Sequence, residues 1–257
     1  MGRRAKDDQN GEQDAGTLER LIDTAVTVPA GRVHAYVDGL RRKNPTASPE
    51  EIIALLEKRY LLAVSGSGAA VGAAAAFPVI GTTAAVALTA GQVGVFLAAS
   101  SALSLAVADV HGIAVGDVHR RRALLMSSLL GEQGPQLFEQ QLGLSSVTWA
   151  KVLLTRLPVA TVKSVNKALR GRVVKVAAAK GGSIMLGRLL PFGVGAVVGF
   201  AGGRLMGKTM IGGTKEAFGP APAFFTREVE GTAVTVEPDD LFKEPLPKGS
   251  EAGADGS

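Results

Sequence analysis

With 257 residues, of which 46% are hydrophobic, the chain has material for one sizeable domain or two small ones and is too apolar to be disordered throughout. The lack of cysteine excludes disulfides, thiolate zinc sites, iron–sulfur clusters and cysteine nucleophiles. Nine Phe, two Tyr and one Trp stand against 33 Gly, so the core has to be filled with Ala, Val, Leu and Gly, which favours close backbone approach.

The net charge of +5 conceals an asymmetry. Thr226 to Ser257 holds eight acidic residues, whereas Gln140 to Lys215 holds twelve Lys or Arg and neither Asp nor Glu. A basic block of this kind seeks an anionic surface.

In chain order, residues 1–17 read as a solvated, disordered tail without the apolar run of a secretory signal. Leu18 to Lys43 gives one or two helices, interrupted around Pro29-Ala30-Gly31. Ser48-Pro49-Glu50-Glu51 is a capping-box start, and the helix it opens runs past Tyr60.

From Tyr60 to Ala108 there are 49 residues without Asp, Glu, Lys, Arg or His. Phe77-Pro78-Val79-Ile80-Gly81 divides them, which predicts a helical hairpin over 60–108. Basic residues flank it on both sides, Lys58 and Arg59 before and Arg120, Arg121 and Arg122 after, so two crossings put both flanks in the cytoplasm. The first arm is rich in Ala and Gly, including Gly68 and Gly72, and contributes little to insertion. Burial of the same hairpin inside a soluble bundle is therefore the competing expectation.

Asp117 caps a helix that runs to Leu130 and ends at Gly131, and short helices follow near Gln136 to Gln141 and Val147 to Leu157. Within 146–180, apolar Val162, Val165, Leu169 and Val173 alternate with Lys163, Lys167, Arg170, Arg172 and Lys175, the pattern of basic amphipathic helices suited to anionic lipid. A last helix is expected over 183–211, where Gly195, Gly199, Gly203 and Gly207 recur every four residues and leave one face bare for a partner helix. Residues 219–257 read as an acidic, mostly disordered tail.

Three patterns raise the question of chemistry. Gly202 to Thr209 matches the phosphate-loop string GxxxxGK[ST], but a glycine-periodic helix precedes it in place of a strand. Asp109-Val110-His111 and Asp117-Val118-His119 offer metal-ligand types, yet the two-residue spacing points each pair to different helix faces, and His34 stands alone as a surface residue. No catalytic constellation, cofactor site or metal site is assigned, and the basic block lacks the aromatic interleaving of a nucleic-acid surface, so nucleic acid is not expected as a partner.

Pro78-Val79-Ile80-Gly81, Gln92, Val110-His111-Gly112 followed by Arg120-Arg121-Arg122, Leu129-Leu130-Gly131, and Leu190-Pro191-Phe192-Gly193 before the glycine repeat together resemble the EcsC protein family, over about residues 18–218. His111 stands where that pattern leads one to expect an aromatic. The resemblance implies a helical, membrane-associated bacterial protein, linked by name to transporter operons, with no established catalytic site to carry over. The expectation is an all-α helical bundle around a glycine- and alanine-rich hairpin, forming one domain over 18–218. Its expected role is that of a non-enzymatic accessory or scaffold protein on the cytoplasmic side of the cell membrane, with anionic lipid and a membrane protein as partners. The alternative is a soluble cytoplasmic adaptor, or a nucleotide-binding protein using 202–209.

Overall fold

The computed structural model describes residues 16–74, 82–131, 133–134, 136, 140, 149–188 and 194–226, with side chains described except at 74, 82–89, 177–188 and 194–196. Among these residues the regular structure is entirely helical, as composition and periodicity predict. The helices are α1 (16–25), α2 (Ala30–Lys43), α3 (Pro49–Ala74), α4 (Thr82–Val110), α5 (Val118–Leu129), α6 (Trp149–Thr155), α7 (Val159–Arg188) and α8 (Val194–Phe218).

Local chemistry sets most of the starts and stops. The Ser48 amide donates to Glu51 Oε2 at 2.7 Å while the Glu51 amide donates to Ser48 Oγ at 3.2 Å, the reciprocal bonds of a capping box at the head of α3. Ser48→Ala is expected to cost about 1 kcal/mol of stability in a denaturant titration. Asp117 accepts from the Arg120 amide at 2.9 Å and so caps α5. After α4 and α8 the chain turns on Gly112 (φ 71°) and Gly219 (φ 73°), left-handed positions where a side chain would be strained.

Two boundaries differ from expectation. The last helix begins at Val194, not near Ser183, and continues to Phe218, because α7 passes through Gly181 and Gly182 to Arg188. Glycine inside a helix costs about 1 kcal/mol, which a long packed helix can absorb. The C-terminal tail is also packed at its beginning. Among residues 219–226, the Pro220 carbonyl oxygen lies 3.3 Å from His111 Nε2 and the Phe225 ring lies under Arg41 at 4.0 Å. The apolar run Pro220 to Phe225 gives this segment something to bury. The divider of the hairpin at 77–81 and the short helix at 136–141 lie wholly or largely outside the described residues.

The core is arranged around the second half of α4. Leu97, Ala99, Ser100, Ala102, Leu103, Ser104, Ala106, Val107 and Ala108 are all buried, on every face of the helix, against α2, α3, α5 and α8. A helix apolar all round needs such a wrapping. It runs antiparallel to α3, fixed by a buried bond between Tyr60 Oη and Ser100 Oγ at 2.9 Å.

The three consecutive arginines before the middle of α5 hold three elements together. Arg120 donates to the Leu153 and Leu157 carbonyls, both at 2.9 Å, closing the end of α6. Arg121 donates to the Val115, Val26 and Val28 carbonyls at 2.8, 3.3 and 2.9 Å, fastening the segment after α1. Arg122 forms ion pairs with Glu19 and Asp23 on α1. Arg120 and Arg121 thus supply donors to backbone carbonyls at and beyond helix ends, and Arg122 pairs with carboxylates.

Candidate membrane-facing surface

The most extensive helix contact in the structure joins α3 to α8, and glycine makes it possible. A Cβ placed on Gly199 would lie 2.8 Å from the Gly68 carbonyl carbon and closer still to its oxygen, and one on Gly203 would lie 2.5 Å from the Val64 oxygen. At Gly207 it would meet Leu61 Cδ1 at 2.8 Å. The helices therefore run antiparallel with backbones in direct contact where Gly68 meets Gly199 and Val64 meets Gly203, while at Gly207 the side chains of Leu61 and Val64 take up the space. Gly72 is buried as well, while the packing of Gly195 lies outside the described residues. The same face of α8 continues to Gly213, where a Cβ would strike the backbone of Ser128 on α5.

Pairing these faces leaves the opposite faces outward. On α3 the exposed stripe runs Lys58, Leu62, Gly66, Ala70, Ala73. On α8 it includes Val197, Ala201, Arg204, Leu205 and Lys208, flanked by the partly exposed Phe200 and Met206. Leu62, Val197 and Leu205 are each about 70% exposed, at 70%, 69% and 68%. Among the described residues Leu62, Val197, Phe200, Leu205 and Met206 thus form a group on this one helix pair, a grouping that marks interaction surfaces more often than isolated exposure does, while Val118, Val159 and Phe224, the most exposed at 84%, lie elsewhere.

Charge is ordered along the pair. At its base Lys215 Nζ on α8 meets Glu57 Oε2 on α3 at 3.0 Å. Beyond that pair, towards the hairpin end, α3 carries Lys58 and Arg59 and α8 carries Lys208 and Arg204, with no acidic residue on either helix. From position 58 to 74 the helix extends about 24 Å, a length comparable to much of a bilayer's hydrocarbon thickness. Lysine and arginine beside an apolar end can rest their stems on the apolar surface and hold their charges in the headgroup layer.

The basic residues of α7 divide into two groups. Lys163, Lys167, Arg170, Arg172 and Lys175 all point outward, while Val162, Val165, Leu169 and Val173 are buried. The apolar stripe that would dip into lipid is therefore already used against the protein, and only the cationic face is presented outward. Arg170 is paired with Glu19 at 2.7 Å and Arg172 donates to Gln133 at 3.3 Å, whereas no ion pair engages Lys163, Lys167 or Lys175 among the described residues.

Positions 202–209 form continuous α-helix inside α8, and Thr209 Oγ1 donates back to the Leu205 carbonyl at 3.2 Å. Backbone amides bonded along a helix are not free to cradle phosphate, so the GxxxxGKT string has no phosphate-loop geometry here. The Asp and His repeats are likewise separated. Asp117 caps α5, His111 Nδ1 bonds the Val107 carbonyl at 2.8 Å and packs on Phe218, and His119 is exposed. Asp109 instead meets His34, the histidine that stands alone in sequence: its Oδ1 lies 2.8 Å from His34 Nδ1. The signal was the i, i+4 spacing of His34 and Asp38, since nothing local points to Asp109, 75 residues away.

No protein-family model, no curated protein and no solved structure matches this chain.

Proposed function

We propose that the protein is a non-enzymatic accessory or scaffold protein that docks on an anionic membrane leaflet through the outer face of the α3–α8 pair, on the cytoplasmic side. The observation that carries this reading is the concentration of Leu62, Val197 and Leu205 beside Lys58, Arg204 and Lys208, with acidic residues kept to the base of the pair. Apolar area and cationic charge then act together, as at other interfacial helices, each basic residue near the surface contributing about 1 kcal/mol. The resemblance to EcsC proteins points the same way.

Between a spanning anchor and shallow docking, the packing favours shallow docking. Ala90–Val110 is long and apolar enough to cross a bilayer, with a mean hydropathy of 1.9, but 72% of its window is buried in protein. Surrounding it with lipid would require α2, α5 and α8 to leave. The same burial favours, as a second reading, a soluble adaptor whose partner covers the outer face of α3 and α8.

Flotation with vesicles separates the two. The full chain is expected to float with anionic vesicles at low salt, to float less at 0.5 M salt, and to lose binding by about tenfold or more when Leu62→Glu and Leu205→Glu are combined, given about 1.5–3 kcal/mol for each leucine fully buried. Both positions are exposed, so the variant keeps its fold. Absence of flotation under every condition would leave the adaptor reading standing and end the lipid one.

A further inference from the structure

At the end of the molecule where α4 stops, three metal-ligating side chains converge that the proposed membrane surface does not use. His34 and Asp38 occupy successive turns on one face of α2, and Asp109 reaches them from the last turn of α4. His34 Nε2 lies 3.0 Å from Asp38 Oδ2 and His34 Nδ1 lies 2.8 Å from Asp109 Oδ1. One ligand atom from each residue falls within 4.8 Å of the others. All three side chains are partly shielded, at 30%, 17% and 21% exposure, which leaves room for a water ligand and a route of entry.

We infer that His34, Asp38 and Asp109 form a binding site for a divalent transition-metal cation of the zinc type, tying α2 to the end of α4. The donor set, one imidazole and two carboxylates, suits a borderline cation; magnesium demands more oxygens and near-octahedral order. The i, i+4 placement of two ligands on one helix face with a third from another element is a recurrent way of holding zinc.

A second observation supports a ligand. Asp38 Oδ1 is shut off from solvent and accepts no hydrogen bond, and it is held only by a long ion pair, at 3.7 Å, with Arg41, whose guanidinium also stacks on Phe225. A buried carboxylate oxygen without a donor is costly, and coordination would satisfy it. Zinc ligands at about 2.1 Å from the ion stand about 3.4 Å apart in a tetrahedron, so closing the 4.8 Å span needs side-chain movements of about 1.5 Å, within the reach of a χ rotation. The ion takes one ring nitrogen and one oxygen from each carboxylate, and water fills the fourth position.

The other two histidines, His111 and His119, offer the competing sites and serve as controls. Titration of the purified, metal-free full chain with Zn2+ against a chromophoric chelator is expected to show one saturable site, with Co2+ in its place giving the intense visible absorption of a tetrahedral centre. His34→Ala and Asp109→Asn are expected to weaken binding at least about tenfold, while His111→Ala and His119→Ala leave it unchanged. Nitrogen-15 spectra of the unaltered protein decide the matter if a variant fails to fold, since Zn2+ must then shift a ring nitrogen of His34. Lack of saturable binding, binding unchanged in the folded His34→Ala protein, or a shift at His111 or His119 without one at His34 would each overturn the assignment.

Discussion

Gly199→Ala is expected to lower the stability of the protein by about 1–3 kcal/mol, whereas Gly66→Ala, one methyl group on the opposite face of the partner helix, is expected to raise it by about 0.5–1 kcal/mol. The chemical change is identical and the surroundings decide its sign. At Gly199 the new Cβ would press into the carbonyl of Gly68, and backbone is the one neighbour that cannot rotate away. At Gly66 it would meet nothing within 4 Å, so the gain in helix propensity is all that remains. Thermal unfolding of the two variants beside the parent protein reads both signs at once. If Gly199→Ala were neutral, the α3–α8 seam would not have its backbones in contact. A double variant, Gly199→Leu with Gly203→Leu, would force the helices apart and is expected to abolish cooperative unfolding.

Arg121→Met is expected to cost about 2–4 kcal/mol, against less than about 1 kcal/mol for Arg170→Ala. The two residues carry the same charge and differ in what they satisfy. Arg121 serves three carbonyls drawn from the segment after α1 and the loop before α5, in a part-buried setting. Burial lowers its pKa from the usual arginine value, and the charge of Asp117 opposes that shift. The removal of the side chain leaves acceptors without donors, which costs more than the bonds themselves contribute. Arg170 meets Glu19 in a pair more than half exposed on the arginine side, where solvent screens the attraction. A urea titration of each variant measures the difference. Equal, small losses would mean that the segment joining α1 to α2 is held by its apolar contacts alone.

Both expectations also bear on the proposed membrane-docking surface. The seam fixes the distance between α3 and α8, and with it the spacing of Leu62 and Leu205 on the outer face. Loosening it should therefore weaken vesicle binding in proportion to the loss of fold. Arg121 lies away from that face, and its replacement should leave binding unchanged at temperatures where the variant is still folded.

The amino-acid sequence by itself determined whatever depends on residues within about one turn of each other. Ser48 to Glu51 specifies a helix start, Asp117 specifies another, and the four-residue glycine period of 199, 203 and 207 specifies a bare helix face. The charge-free run to Ala108 likewise requires burial of some kind, because no polar face remains. The tertiary structure decided what covers these faces. It packs α4 inside protein, turns the apolar stripe of α7 inward, and leaves the charges of Lys163, Lys167 and Lys175 outward. It also converts Arg120 and Arg121, which read locally as a basic flank, into donors for carbonyls up to 95 residues distant, and gives Arg122 the carboxylates of Glu19 and Asp23. His34 gains Asp109 in the same way. Short-range rules act through the geometry of a single helix, while a hydrogen-bond partner across the bundle is chosen by how the helices stack, and that stacking depends on backbone approach at a few glycines.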